Sequence, residues 1–292
     1  MHGRAAVVLL FITSCAGPAL MKPKPPFTAV VGPLVIAHRG GSLEAPENTV
    51  AAVRHGTQAG AEWIEIDVTL TSDGEVVVIH DDTLERTTNG KGEVTAKSLK
   101  ELQALYAGRP GWSKGGRMRL GALGLTPPDF GERFADARVP SLREVLAETD
   151  ARLMIELKKY PRPEKLVDAV LRVVYEANAA GRVGLGSFEA DMLWAAYNRD
   201  PSISLIGIAE SESEIKAMFN LPITVIAVDT DLAEFALLSR PSQLAVWCWT
   251  AYTPEQALAL RDLGVNGIIT DAPAAVLPEL RKPPPVYMRA GE

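Results

Sequence analysis

Short apolar runs alternate with amphipathic segments along most of the chain. Eight runs rich in Val, Ile and Leu have the length of buried β-strands and begin near positions 34, 63, 152, 183, 204, 224, 244 and 267. The segments between them repeat apolar residues at helical spacing, most clearly in EKLVDAVLRVVYEANAAG, which ends at Gly181. Eight strands that alternate with helices predict a (β/α)8 TIM barrel. A doubly wound open sheet is the alternative, but no GxGxxG sequence follows the first run.

The second run carries acidic residues and is followed by a turn signal. In WIEIDVTL (63–70), strand alternation directs Glu65 and Asp67 to one face. The Asp-Gly pair at 73–74 predicts a two-residue hairpin turn into EVVVIHD. With this turn, Asp67 lies opposite His80 on the neighbouring strand. The sequence therefore predicts two carboxylates and an imidazole in one cluster.

Polar residues also end the first and the third of the eight runs. LVIA is followed by His38 and Arg39, and then by two glycines that permit close approach of the backbone to a ligand. In RLMIELK, Glu156 and Lys158 share one face. Each feature alone is common, as a solvated strand face or a structural histidine. Their occurrence at the ends of successive strands predicts one site, because that end of a β/α barrel carries the catalytic groups.

The segments around these strand ends contain further polar residues. Asn48 is the predicted N-cap of the first helix, which begins near Glu47 and ends near residue 59. Glu47 itself either orients Arg39 or stabilises the helix N-terminus. Asp271, at the end of the last strand, is predicted to cap the following helix rather than to take part in catalysis. His55 is predicted to be exposed on the first helix.

Several of these motifs occur together in a known family. AHRGG, APENT, EIDVTLTSDGEVVVIHDDTLERTTNG, IELK, WCWT and GIITDAP, in that order, resemble the glycerophosphodiester phosphodiesterase family, a group of PI-PLC-like phosphodiesterase TIM barrels. The resemblance covers roughly residues 34 to 275. The family usually has Trp-Thr-Val-Asn at the late strand, whereas here Trp249 and Thr250 are followed by Ala251 and Tyr252.

The resemblance implies a metal-dependent hydrolysis of glycerophosphodiesters to an alcohol and glycerol 3-phosphate. It assigns His38 and His80 as the acid–base pair, Glu65, Asp67 and Glu156 as ligands of a divalent cation, Arg39 and Lys158 as phosphate contacts, and Trp249 as a contact of the glycerol. Three carboxylates without a sulfur ligand select a hard cation, Ca²⁺ or Mg²⁺.

Two other functions are compatible with the same motifs. A lysophospholipase D or sphingomyelinase D would use the same groups on a lipid substrate. The other is a lipoprotein that binds phosphodiesters and has lost catalysis. The presence of both His38 and His80 argues against this second function.

An irregular insertion is predicted at about 106–138, where Gly and Pro are abundant and no periodicity is visible. Its large apolar residues indicate a partly apolar cap over the site, which would favour a lipid substrate; they are Trp112, Leu120, Leu123, Leu125 and Phe130. An irregular surface segment without such a role is the alternative.

Composition is that of a globular protein with a large core. The 292 residues are 47% hydrophobic, and a single β/α barrel commonly reaches this length. The formal net charge is -6 and no block of basic residues occurs, which argues against a nucleic-acid partner. Local cationic groups and a metal can still attract an anionic phosphodiester.

The N-terminal residues predict export. Residues 1–14 combine an early positive charge with a short apolar run and read as a signal peptide. The sequence ITSC resembles the bacterial lipobox, which implies that Cys15 is lipidated and begins a Pro-rich tether over 15–33. The expected protein is a membrane-anchored lipoprotein facing the periplasm or the cell exterior. An ordinary secretory signal and an apolar start without an export role are the alternatives.

The rest of the chain divides into the barrel, predicted over 34–282, and a C-terminal tail over 283–292. Cys248, the second cysteine, lies in the apolar run LAVWCWT and is predicted to be a buried hydrophobic residue. The two cysteines form no disulfide framework and no zinc-binding spacing.

Overall fold

The structure is a computed structural model that describes residues 32–108, 120–126 and 128–282. The predicted signal peptide, Cys15, nearly all of the tether and the C-terminal tail lie outside these residues. In the described ranges no helix has the length and apolar character needed to cross a bilayer.

Eight parallel strands close into a barrel, as predicted. Going around the sheet, the order is β1-β9-β8-β7-β6-β5-β4-β2, and pairing of β1 with β2 closes it. The short strand β3 adds to β2 in the antiparallel direction, outside the ring. The strands are β1 Leu34–Ala37, β2 Trp63–Leu70, β3 Val76–Val78, β4 Arg152–Leu157, β5 Val183–Ser187, β6 Ser204–Ala209, β7 Val225–Asp229, β8 Ala245–Ala251 and β9 Gly267–Thr270.

Helices connect the successive barrel strands and cover the outside of the sheet. Within the described residues they are α1 Val50–Ala59, α2 Leu99–Gln103, α3 Leu142–Glu148, α4 Pro163–Glu176, α5 Ala190–Arg199, α6 Glu212–Met218, α7 Ala233–Ser239, α8 Pro254–Leu263 and α9 Pro273–Arg281. The segment α4 covers the first part of the predicted EKLVDAVLRVVYEANAAG helix, and its apolar face joins the core between sheet and helices. It ends at Glu176, and Gly181 lies in a separate 3-10 turn, so the predicted end at Gly181 is wrong. The (β/α)8 prediction is confirmed.

Strand β2 supplies both the outer core and the interior of the barrel. All eight of its residues are buried, as expected for a barrel strand covered on both faces. Ile64 and Ile66 point outward into the core beneath the helices, whereas Trp63 packs inside the ring. By the same alternation Glu65 and Asp67 point inward, one and two levels above Trp63.

Two tryptophans fill the barrel interior at the N-terminal end of the strands. The rings of Trp63 and Trp247 meet edge to face, with centroids 5.4 Å apart at an interplanar angle of 68°. A Cβ atom at Gly267 would lie 2.5 Å from Trp247 Cδ1, so only glycine leaves room for the indole there. The tryptophans close one end of the barrel, and the opening lies at the carboxyl end of the strands.

The hairpin between β2 and β3 has a different turn from the predicted one. Thr71 N donates to Glu75 O at 3.0 Å, which makes a three-residue loop, and Gly74 takes a positive φ of 82°. The Thr71 hydroxyl fixes this loop by accepting from Glu75 N at 3.0 Å. The extra residue shifts the register by one position, so Asp67 pairs with Ile79, whose N–H binds Asp67 O at 3.0 Å. The predicted pairing of Asp67 with His80 is wrong.

The first strand is shorter than LVIAHR (34–39), the strand that the sequence predicts. It stops at Ala37, and residues 38–40 form a 3-10 turn in which Arg39 has a positive φ of 52°. A Cβ atom at Gly40 would lie 2.5 Å from the Ala52 carbonyl carbon, so this glycine allows the turn to contact α1. The cap of α1 is Thr49, whose hydroxyl accepts from Ala52 N at 3.1 Å. The prediction of Asn48 as the N-cap is therefore wrong.

The described part of the insertion is packed against the loop that follows β1. Phe134 joins a small apolar cluster with Ala45 and Ala52, and Phe130 meets it edge to face at 5.4 Å. The barrel has a cavity at the carboxyl end of its strands, and no insertion residue in 106–108, 120–126 or 128–138 lines it. Trp112 lies outside the described residues, and the predicted cap stays a prediction.

Candidate active site

A cavity of about 410 Å³ opens at the carboxyl end of the barrel strands. Its lining combines charged side chains with apolar ones, which are Met154, Phe188, Ile208, Ile269 and Trp249. Six of the eight predicted site residues line the cavity: His38, Arg39, Glu65, His80, Glu156 and Trp249. The other two, Asp67 and Lys158, lie directly beside it in contact with Arg39 and Glu156.

The three predicted metal ligands form a compact cluster on two neighbouring strands. Asp67 of β2 is in register with Glu156 of β4, and Glu65 lies two residues before Asp67 on the same face. One oxygen of each carboxylate lies within 4.8 Å of the other two. Glu65 and Asp67 are almost fully inaccessible to solvent, and the Glu156 side chain is 12% exposed. This arrangement follows directly from strand alternation and from the parallel pairing of β2 with β4.

Asp67 is charge-balanced by its neighbours. Lys158 Nζ lies 2.7 Å from Asp67 Oδ1, and Arg39 Nε lies 3.2 Å from Asp67 Oδ2. The Asn48 amide donates to Asp67 Oδ2 at 2.7 Å, and its oxygen accepts from Asp67 N at 3.1 Å. Burial alone would raise the pKa of Asp67, but Lys158 and Arg39 hold it well below the usual range. Asp67 is therefore ionised in the folded protein.

Glu65 lacks such a balance. Its Oε2 accepts from Arg39 N at 2.8 Å, whereas its buried Oε1 receives no hydrogen bond from any residue in the described ranges. Burial, reinforced by the negative charges of Asp67 and Glu156, raises the pKa of Glu65 to about 8. An orphaned carboxylate oxygen beside two further carboxylates is a donor set that suits a hard divalent cation. Glu65, Asp67 and Glu156 thus fit the metal that the sequence predicts.

Both predicted acid–base histidines are held by a carboxylate through Nδ1. His38 Nδ1 lies 2.6 Å from Asp271 Oδ1, and His80 Nδ1 lies 2.6 Å from Asp81 Oδ1. In each pair a proton on Nδ1 is donated to the carboxylate, which leaves Nε2 to exchange a proton with another group. Burial would lower the pKa of His38, but Asp271 outweighs it, so this pKa is raised.

Asp271 therefore has a different role from the predicted one. The N-cap of α9 is Ala272, and no side chain caps this helix. Asp271 is 2% exposed, and its carboxylate contacts His38 instead. His55 also departs from its prediction, because it is half-buried and its Nε2 lies 2.7 Å from Glu44 Oε2.

Glu47 orients Arg39, one of the two roles open from the sequence. Arg39 Nη1 donates to Glu47 Oε1 at 2.9 Å, and Arg86 binds both oxygens of the same carboxylate. Burial opposes ionisation, but Arg39 and Arg86 lower the pKa of Glu47 to about 2. The glutamate is thus a fixed anion between two arginines.

Sequence reasoning missed the groups that support the predicted residues from loops. Asn48 contacts Asp67, and Asp81 contacts His80. Arg86 contacts Glu47, the carboxylate that holds Arg39. Asp81 follows His80 directly in HDDTLERTTNG, and that adjacency was the available signal. Phe188 is another supporting residue that the sequence did not reveal. Its ring packs edge to face on that of Trp249, with the centroids 5.9 Å apart.

Comparison with known proteins agrees with this geometry. The model of the glycerophosphoryl diester phosphodiesterase family matches residues 38–275. A relative from Caldanaerobacter subterraneus subsp. tengcongensis, named glycerophosphodiester phosphodiesterase, is 33% identical over 85% of this chain and 98% of its own length. The chain belongs to this family.

Solved structures of phosphodiesterases are similar to this family member over most of its length. A phosphodiesterase from Oleispira antarctica, in complex with the product sn-glycerol-3-phosphate, is 25% identical with a TM-score of 0.72, covering 86% of this chain and 98% of that one. A glycerophosphodiester phosphodiesterase from Agrobacterium tumefaciens is 26% identical with a TM-score of 0.62, covering 84% and 98%. The family, fold and enzyme class predicted from the sequence are confirmed.

The raised pKa of Glu65 predicts that the free energy of unfolding of the metal-free protein depends on pH. The unfolded carboxyl loses its proton near its ordinary pKa of 4.5, whereas the folded one keeps it up to about pH 8. The free energy of unfolding therefore falls between these two pH values on account of this group. Glu65→Gln should be more stable than the wild type in chelator at pH 8, by an amount that shrinks towards pH 4.5. Urea unfolding at several pH values measures the difference.

Glu148→Gln is the control for this measurement, because Glu148 pairs with Arg54 on the surface, far from the cluster. Its stability relative to the wild type should not vary over the same pH range. A Glu65→Gln variant that is less stable than the wild type at pH 8 would show that Glu65 is not the uncompensated group.

Proposed function

We propose that the protein hydrolyses glycerophosphodiesters to an alcohol and glycerol 3-phosphate with the help of a bound divalent cation. The observation that carries the proposal is the juxtaposition, in one cavity, of an incompletely neutralised carboxylate cluster and two carboxylate-held imidazoles. The names of the Caldanaerobacter relative and the product in the Oleispira structure support the substrate class.

Glu65, Asp67 and Glu156 would hold the cation, Ca²⁺ or Mg²⁺. When bound, the cation supplies charge neutralisation to the phosphate oxygens and to the charge that develops on them. The protein's own contribution is a buried set of oxygens whose charge is balanced at Asp67 and unbalanced at Glu65.

The cationic side chains of the site would orient the phosphodiester. Arg39 is held by Glu47 and Asp67, and Lys158 by Asp67 and Glu156, so both are fixed at the edge of the carboxylate cluster. An Arg or Lys held in this manner contributes positive charge to phosphate without a further loss of side-chain freedom. In the same cavity, the packed rings of Trp249 and Phe188 would offer an apolar surface for the carbon atoms of the glycerol.

His38 and His80 would move the protons. One would accept the proton of the attacking hydroxyl at Nε2, and the other would protonate the leaving alkoxide, with Asp271 and Asp81 stabilising the positive charge on each ring. The attacking group that we propose is the glycerol 2-hydroxyl of the substrate, which gives a cyclic glycerol phosphate that water then opens. When the attacking hydroxyl and the phosphorus belong to one molecule and are well oriented, the entropic part of the activation barrier is lower by as much as about 7–11 kcal/mol.

A substrate panel tests the proposed function. Glycerophosphodiesters with different alcohol groups should be cleaved with added Ca²⁺ or Mg²⁺, and excess chelator should abolish turnover and lower the melting temperature together. Lysophospholipid and sphingomyelin substrates belong in the same panel, because cleavage of these alone would establish the lipid-directed alternative. Binding without turnover of any phosphodiester would establish the non-catalytic alternative, and full turnover in chelator would refute the metal.

The route through the 2-hydroxyl makes a prediction about both histidines. His38→Ala and His80→Ala should each lower kcat by at least about 10²-fold, the usual minimum for a lost acid–base group. Stabilisation by added cation should persist in both variants, because neither ring belongs to the carboxylate cluster. Turnover is measured with a glycerophosphodiester and with its 2-deoxy analogue.

The 2-deoxy analogue should resist the wild-type enzyme. Its cleavage at the normal rate would mean that water attacks phosphorus directly and that no cyclic product forms. His55→Ala serves as the control for both measurements, since this half-buried ring pairs with Glu44 rather than with a residue of the cluster.

The N-terminal segment carries a second proposal, that the protein is exported and anchored by a lipid on Cys15. The support is the order of positive charge, apolar run and ITSC sequence, followed by a Pro-rich stretch. Cys15→Ser should release the protein from the membrane fraction without altering turnover of a soluble glycerophosphodiester. Fractionation and metabolic labelling with a fatty acid measure this, and Cys248→Ser is the matched control. Unchanged membrane retention in Cys15→Ser would exclude the lipid anchor.

A further inference from the structure

Arg86 joins two carboxylates from separate loops. Its Nε and Nη2 donate to Asp81 Oδ2 and Oδ1 at 2.5 and 2.8 Å. Its Nη1 and Nη2 donate to Glu47 Oε2 and Oε1 at 2.6 and 2.8 Å. A planar guanidinium with donors in a fixed fork is the side chain that can make two bidentate pairs at once, which lysine cannot. The arginine therefore links the loop after β1 to the loop after β3.

Each of these carboxylates also holds a residue of the proposed machinery. Asp81 Oδ1 binds His80 Nδ1 at 2.6 Å, and Glu47 Oε1 accepts from Arg39 Nη1 at 2.9 Å. Arg86 thus lies one contact away from an imidazole that would transfer a proton and from a guanidinium that would face the phosphate. A displacement of Arg86 would therefore move both the His80 imidazole and the Arg39 guanidinium.

The backbone that presents Arg86 is firmly held. Leu84 and Thr88, two residues to either side, are both 0% exposed. Thr88 N donates to Leu84 O at 3.1 Å, and the Thr88 hydroxyl donates to the same oxygen at 2.6 Å. Arg86 itself is mostly buried, with 17% of its side chain exposed. The guanidinium is consequently fixed from its own side as well as by the two carboxylates.

The two histidines differ in how their carboxylates are neutralised. Asp271, which holds His38, has no arginine within 4.0 Å among the residues that the structure describes. Asp81 shares both oxygens with Arg86. Burial would raise the pKa of Asp81, but the hydrogen bonds from His80 and Arg86 outweigh it and keep this pKa well below its ordinary value. Arg86 therefore belongs to one of the two imidazole–carboxylate pairs and not to the other.

We propose that Arg86 is a positioning residue of the reaction, which acts through Asp81 on His80 and through Glu47 on Arg39. The inference rests on the proposed roles of His80 and Arg39. It concerns their arrangement, and it assigns no contact between Arg86 and substrate.

Kinetics of Arg86→Met and Arg86→Lys test the proposal at saturating cation. Arg86→Met should lower kcat by about 10²-fold, the cost expected when catalytic groups are displaced by about 1 Å. Arg86→Lys should recover part of this loss, because an ammonium restores the charge but cannot span both carboxylates. The control is Arg281→Met, which breaks the ion pair of Arg281 with Glu62 at the opposite end of the barrel and should leave kcat unchanged.

A double-mutant cycle tests the route through Asp81. If Arg86 acts through this carboxylate, the two residues act as one unit. The loss of kcat caused by Arg86→Met should then be at least about tenfold smaller in an Asp81→Asn background than in the wild type. Equal losses in both backgrounds would overturn the proposal. So would an Arg86→Met variant in which KM alone rises, since that is the behaviour of a residue that only binds substrate.

A spectroscopic measurement separates this inference from the proposed function. The Nδ1 protons of His38 and His80 should both give downfield resonances in the metal-free protein, where their carboxylates hold them. Arg86→Met should broaden or shift the His80 signal and spare that of His38, while Arg281→Met should change neither. This readout needs no turnover, so absence of wild-type activity would refute the function and leave the inference open to support or refutation by the spectrum.

Unaltered His80 resonance together with unaltered kcat in Arg86→Met would overturn the proposal. If Arg86→Met does not fold, Arg86→Lys decides alone: the proposal expects about a tenfold loss of kcat and a displaced His80 signal, and full kcat with an unchanged signal would refute it.

Discussion

The burial of three carboxylates side by side inside the barrel is the constraint on which the site depends. A buried carboxylate is costly unless cations and hydrogen-bond donors surround it. Asp67 meets this requirement through Lys158, Arg39 and Asn48. Glu65 does not, and its raised pKa expresses the remaining cost. The positive residues and the amide around the cluster are thus consequences of placing Asp67 there, and the deficit at Glu65 is what the proposed cation would offset.

The barrel makes this burial possible by separating its two ends. Trp63 and Trp247 fill the interior where the strands begin, so the carboxylates above them are reached only from the carboxyl end. Along β2 the same alternation that sends Ile64 and Ile66 into the outer core sends Glu65 inward. The residues that stabilise the fold and those that form the site therefore alternate on one strand, and neither set can shift without the other.

The strand-borne part of the site was predictable because alternation and parallel pairing fix it. Glu65 and Glu156 needed only a period of two and neighbouring strands. The loop-borne part was not, because it depends on turn geometry and on contacts between distant segments. Asp-Gly at 73–74 signalled a turn but not its length, and one residue more moved Asp67 opposite Ile79. The sequence predicts Asn48 as a helix cap, since no local pattern reveals that its backbone is left-handed and that its side-chain amide reaches Asp67.

Closure of the barrel itself assembles the pair of His38 with Asp271. These residues are 233 positions apart, yet β1 and β9 pair in a register that places Ala37 beside Thr270. The residue that follows each strand is therefore adjacent to its counterpart, and the imidazole meets the carboxylate where the last strand joins the first. A sheet in which β1 and β9 did not pair would keep the carboxylates of β2 and β4 together but would leave His38 without its partner. The pair of His38 with Asp271 thus requires the pairing of the last strand with the first, whereas the carboxylate cluster requires only two neighbouring strands.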